Sequence, residues 1–154
     1  MKSQGMASDV GLLVLRLVLG AVFIGHGAQK LFGAFGGSGM ERFIDYLGGI
    51  GVPVPTLSGW LAAIAEFGGG ILVAIGLFPR IASFALAGTM AVAILKVHLH
   101  NGFFMNHMNT PDKGHGMEFS LALLAMALAV AFVGAGGISV EKALQSRGGS
   151  KEGP

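Results

Sequence analysis

Long apolar runs separated by short polar, glycine-rich or proline-rich stretches organise this chain. Four runs stand out, at about residues 10–32, 55–78, 80–99 and 118–135. Each is close to the ~20 residues with which a helix crosses the hydrocarbon of a bilayer. None alternates with the period of a barrel strand, and only helices or closed barrels leave no backbone group unpaired in lipid. The pattern predicts an all-α fold: a four-transmembrane-helix bundle, antiparallel and up-and-down. The punctuation agrees. Gly33-Ala34-Phe35-Gly36-Gly37 ends the first run, and Pro53 and Pro55 open the second. Phe78-Pro79-Arg80 leaves room only for a tight turn, and Gly134-Ala135-Gly136-Gly137 ends the fourth run. The chain reads as one membrane domain. Segments 33–54 and 100–117 are its loops at one end, and a polar tail over 142–154 is expected to fray.

Composition sharpens this picture. Apolar residues make up 53% and charged residues 12%, against about a quarter charged in a soluble domain. The lipid bilayer is therefore the first partner. A net charge of +2, with no basic run, gives no support for a nucleic-acid partner. The absence of cysteine rules out a disulfide, a thiol nucleophile or iron–sulfur ligation on this chain. The run from Val10 contains Arg16 and lacks a following small-residue cleavage site, so it reads as a retained helix. Lys2, Arg80, Lys142, Arg147 and Lys151 fall at one end, and Lys30, Arg42, Lys96 and Lys113 at the other. This bias predicts cytoplasmic termini. Glycines in the first two runs, among them Gly20 and Gly68-Gly69-Gly70, read as close helix packing.

Ionisable groups at membrane depth are expensive, so the few present carry the most information. Counted from the helix ends at ~1.5 Å per residue, Arg16 and Glu66 lie ~9 and ~16 Å deep. Arginine is long enough to bridge most of that difference, which predicts a buried Arg16–Glu66 ion pair. Nearer the opposite end, His26 and Lys30 stand four apart on one face of the first helix, as do Lys96 and His100 on the third. His98 falls on the other side of that third helix. Glu118 opens the fourth helix within reach of Lys30 or Lys96. His26, Lys30, Lys96, His100 and Glu118, with Phe103 and Phe104 as an aromatic wall, form the candidate ligand site for a quinone-like ring. All five histidines fall at this end. His98, His100, His107 and Met108 are candidate ligands for copper or zinc, although the neighbouring lysines oppose a metal cation.

Several of these residues resemble the DoxX family. Leu15-Arg16-Leu17-Val18-Leu19-Gly20 with His26-Gly27-Ala28-Gln29-Lys30-Leu31-Phe32-Gly33 is similar to its first helix. Ala65-Glu66-Phe67-Gly68-Gly69-Gly70 with Gly76-Leu77-Phe78-Pro79-Arg80 is similar to its second. Met90-Ala91-Val92-Ala93, Gly102-Phe103-Phe104, Gly116-Met117-Glu118 and Gly134-Ala135-Gly136-Gly137-Ile138-Ser139 extend the resemblance over roughly residues 10 to 140. It implies a small four-helix protein of the bacterial inner membrane, associated with redox systems that include a thiosulfate:quinone oxidoreductase. The family-type polar positions then map to Arg16, His26, Lys30, Glu66 and Glu118. The implied partners are redox-enzyme subunits or further copies of the chain.

Three functions are expected from this reading. The first is a quinone-linked, redox-associated membrane subunit, the second a metal-handling or small-solute carrier, and the third a non-enzymatic scaffold. No nucleophile, phosphate loop or cofactor fingerprint in the chain establishes independent catalysis.

Overall fold

The computed structural model describes residues 5–148, and all regular structure among them is helical. The elements are α1 (Met6–Phe32), α2 (Gly39–Gly49), α3 (Pro55–Ile75), α4 (Pro79–Ala93), α5 (Glu118–Val133) and α6 (Val140–Gly148). Beyond α4 the chain continues through a π turn (Ile94–His98) and a 3-10 turn (Leu99–Asn101). Three helical stretches are long and apolar enough to cross a membrane: Met6–Phe32, Pro55–Ile75 and Pro79–Asn101. α5 is a shorter apolar helix.

Two expectations about the connections are corrected. The segment 33–54 is not only a loop, because it holds α2. Met40, Phe43, Ile44 and Leu47 recur there at helical spacing and turn inward, while Glu41, Arg42 and Asp45 are exposed. The expected frayed tail is helical as far as Gly148, as α6. Residues 149–154 of that tail lie outside the described residues.

Close approach of α1 and α3 sets the register of the molecule. A side chain at Gly20 would meet Gly70 O and Ala74, and one at Gly27 would meet the Phe67 backbone. One at Gly70 would in turn meet Ile24 N, 2.9 Å away. The two helices therefore run antiparallel with Gly20 beside Ala74 and Gly27 beside Phe67. Glu66 thus lies level with the Ala28–Lys30 turn and about 18 Å above Arg16 along the axis. The expected Arg16–Glu66 pair cannot form. The helix ends are not level: α1 runs several turns past the end of α3.

Arg16, fully buried, instead serves the end that carries the termini. Its guanidinium packs on Gly76, which ends α3 with φ +70°, and its Nη2 donates to Ile138 O. Around it, Asp9 Oδ1 accepts from Gly137 N at 2.6 Å, and Glu141 N donates to Gly76 O at 3.1 Å. Arg80 Nη2 donates to Val133 O at 3.4 Å. Segment 134–139 is thereby strapped beneath α1 and the α3–α4 turn. A cation at the carboxyl end of α3 also complements the helix dipole.

The apolar core fills the half of the molecule next to this strap. Leu19 and Phe23 of α1 meet Val73 of α3, Ala82 and Leu86 of α4, and Leu123, Ala127 and Val130 of α5. In the other half the helices stand apart.

Candidate functional site

Where the helices separate they enclose a cavity of about 1120 Å³. α1 contributes His26 and Lys30; α2 contributes Phe43 and Tyr46; α3 contributes Ala62, Ala65 and Glu66. The wall of α4 is Ala85, Gly88, Thr89, Val92 and Ala93, continued by Lys96 and His98 from the π turn. Phe119, Ser120 and Leu123 of α5 complete it. Mostly apolar walls with a few convergent polar groups are the usual makeup of a small-molecule site.

Its centre is an ion pair. Lys30 Nζ donates to Glu66 Oε2, with the lysine side chain 20% and the glutamate side chain 4% exposed. The Lys30 ammonium also lies 5.2 Å from the centre of the Phe43 ring, a cation–π distance. A buried carboxylate survives in such a setting only when paired, and the α1–α3 register brings this lysine to it. His26 lies beside the pair, its ring centre 6.3 Å from that of Phe119.

The rim of the cavity is set by the segment after α4. Lys96 Nζ donates to Gly51 O at 3.4 Å, tying α4 to the α2–α3 connection. His98 Nδ1 lies 2.9 Å from His115 O. A carbonyl only accepts, so Nδ1 carries the proton and leaves Nε2 of a neutral ring as an acceptor. Asn101 Nδ2 donates to the same His115 carbonyl at 3.3 Å. Partial burial of Tyr46 pushes its phenol above the ordinary value, so its O–H remains a neutral donor.

The structure brings together part of the site expected from sequence. His26, Lys30 and Lys96 line the cavity; His100, Phe103, Phe104 and Glu118 do not. The π turn explains the histidines. One added residue in a turn rotates the downstream side chains by roughly 100°, so His98 faces the cavity and His100 is exposed. At Gly102 (φ +83°) the chain reverses. Gly102 O and Phe103 O then accept from Met117 N and Glu118 N at 3.1 and 2.9 Å. This pairing turns Phe103 and Phe104 outward as an edge-to-face pair 5.1 Å apart, 47% and 72% exposed. Glu118 meets neither lysine. Its Oε1 lies 3.3 Å from His107 Nε2.

The candidate metal ligands are likewise dispersed. His98 is engaged with the His115 carbonyl, His107 with Glu118, and Met108 is 89% exposed. Among the described residues no three His, Cys, Asp or Glu side chains gather to hold a metal ion. Sequence reasoning missed Phe43, Tyr46, Thr89, Phe119 and Ser120 as cavity residues. The helical spacing of Met40, Phe43, Ile44 and Leu47 could have found the α2 residues.

A buried asparagine shapes the long connection above the site. Asn106 Nδ2 donates to Thr110 O and Lys113 O at 3.0 and 2.7 Å, and its Oδ1 accepts from Thr110 N at 3.0 Å. An Asn106→Ala variant orphans these partners at a cost of about 1–3 kcal/mol. Amide exchange over 107–114 is expected to accelerate tenfold or more while the helix cores keep their protection. Unchanged exchange in that segment would show that other contacts hold it.

Comparison with known proteins places this geometry in a family. The DoxX family model matches residues 11–99. "Putative oxidoreductase CatD" of Bacillus subtilis (strain 168) is 32% identical over 126 residues, covering 82% of this chain and 81% of that protein. Inner membrane protein YqjF of Escherichia coli (strain K12) is 27% identical over 142 residues, covering 90% of this chain and 95% of the relative. Inner membrane protein YphA of the same organism is 28% identical over 95 residues, 61% of this chain and 64% of the relative. No solved structure matches the chain. The match over residues 11–99, with a 32%-identical relative aligned along most of its length, makes this chain a member of the DoxX family.

Proposed function

We propose that the chain is a bacterial inner-membrane protein of four antiparallel spans, α5 being the fourth, with both termini cytoplasmic. In this reading it is a redox-associated subunit that binds a quinone-like ring in the cavity. The observation that carries it is the Lys30–Glu66 pair within an apolar chamber, flanked by His26, Lys96 and His98. The Lys30 and Lys96 ammonium groups and a ring N–H of His26 can donate to ring carbonyls, and Phe43 and Phe119 offer flat apolar surface. The name of the Bacillus subtilis relative, an oxidoreductase, is in keeping with it. Relatives named as inner membrane proteins support the location.

Purified wild-type protein is expected to bind a naphthoquinone in detergent. Combining His26→Leu with Lys96→Met should weaken that binding tenfold or more, because each removes a donor from the chamber while sparing the Lys30–Glu66 pair. Equilibrium dialysis reads the effect. Equal affinity in wild type and double variant would reject the assignment.

A further inference from the structure

The way into the cavity depends on which of its walls are open. α2 covers the end facing the connections, with Phe43 and Tyr46 turned down over the chamber. Pro53, His115 and Gly116 line the same end. The side between α3 and α4 is lined by small residues. Ala62 and Ala65 line it from α3, and Ala85, Gly88 and Val92 from α4. On each helix these positions recur at three- and four-residue spacing, so each set forms one stripe. Ala85, Gly88 and Val92 line the cavity and are exposed. All lie within the stretches Pro55–Ile75 and Pro79–Asn101, which are long and apolar enough to cross a membrane. An opening along this stripe would therefore lie at membrane depth.

We propose that the cavity is entered sideways from the bilayer, and that the slot between α3 and α4 holds the apolar chain of an amphiphile whose polar ring rests at Lys30 and Glu66. The ring assignment rests on the proposed quinone function, whereas the slot rests on the shape of the wall. Three observations support the chain. The cavity, at about 1120 Å³, exceeds the ~300–1,000 Å³ typical of drug-sized ligands, so a bare ring leaves much of it empty. The small side chains of Ala62, Ala65, Ala85 and Gly88 leave a groove open. The two hydroxyls on this wall, Ser58 Oγ and Thr89 Oγ1, donate to Pro53 O at 2.7 Å and Leu86 O at 2.8 Å, so both donors are already satisfied within the protein.

The test uses full-length protein in lipid nanodiscs and two naphthoquinones with the same ring, one bare and one with an isoprenoid chain. A Cβ at Gly88 meets nothing within 4 Å, so Gly88→Phe starts its ring from open space. Ala85→Phe, at an exposed position one turn away, is an independent second plug. Comparing each variant with wild type in the same nanodiscs cancels the partitioning of the chain into lipid. Both variants are expected to lower affinity for the chained probe tenfold or more, and for the bare ring less than twofold. Equal losses for the two probes, or no loss for either, would overturn the slot. If wild type binds the chained probe but not the bare ring, and the plugs abolish that binding, the slot stands and the ring reading fails. Binding of neither probe by wild type overturns both.

Discussion

A Gly76→Ala variant is expected to lose about 2–5 kcal/mol of stability, enough to remove most folded protein from the membrane fraction. Two costs add. Gly76 sits at φ +70°, where a Cβ costs ~1–2 kcal/mol. The new methyl would also occupy the space of the Arg16 guanidinium and press on Ser139, and overpacking of this kind costs ~1–3 kcal/mol. Arg16 cannot move away cheaply, since it is fully buried and holds Ile138 O. The effect reaches further than one turn, because Glu141 N donates to Gly76 O. Thermal unfolding in detergent, with fluorescence-detected chromatography of the folded fraction, measures it. An Arg16→Ala background should recover the steric part of the loss and retain the backbone part. A melting point within a degree or two of wild type in Gly76→Ala would contradict the strap.

The second large effect belongs to the Lys30–Glu66 pair. Removing one partner of a buried pair costs ~3–5 kcal/mol, because the other charge stays buried alone. Here the two partners differ. Glu66 is almost wholly enclosed, whereas the Lys30 side chain keeps 20% exposure and can turn toward the cavity mouth. Lys30→Met is therefore expected to cost the full amount and Glu66→Leu distinctly less. The double variant Lys30→Met/Glu66→Leu should return close to wild-type stability, since an apolar pair of similar volume suits an apolar surround. A thermodynamic cycle over the four proteins reads the coupling directly. Additive losses in the double variant would mean that the two side chains do not act as a pair.

Much of the architecture was legible because hydropathy decides it. The first three apolar runs reappear as helices with ends shifted by a few residues: Pro79, expected in a turn, opens α4, and α1 begins earlier, at Met6. What failed depended on relations between helices. The expected Arg16–Glu66 pair came from counting heights from helix ends taken as level. The glycine contacts at Gly20, Gly27 and Gly70 show them to be offset, and no single run of sequence carries that offset. His98 and His100 exchanged roles through one π turn, for which Ile94–His98 gives no compositional sign. Phe103 and Phe104 are expected as an aromatic wall of the site, whereas Gly102 reverses the chain before them and the pair turns outward. By contrast, His26 and Lys30 are readable as one polar face, because a spacing of four on an unbroken α-helix fixes a shared side; Lys96 and His100 have the same spacing, and the π turn parts them.

The strap also has a consequence in time. Arg16 and the carbonyl it holds, on Ile138, are 122 residues apart in the chain. At a synthesis rate of ~5–20 residues per second, the carbonyl emerges roughly 6–24 s after the arginine. For that interval α1 has no Ile138 to offer its guanidinium, and the Gly76 turn on which it rests arrives only midway. The nascent first helix must hold this cation near interfacial water until the last helices are made. Seating of Arg16 is thus a late event in biogenesis, and a chain released before Ile138 keeps α1 from its final depth.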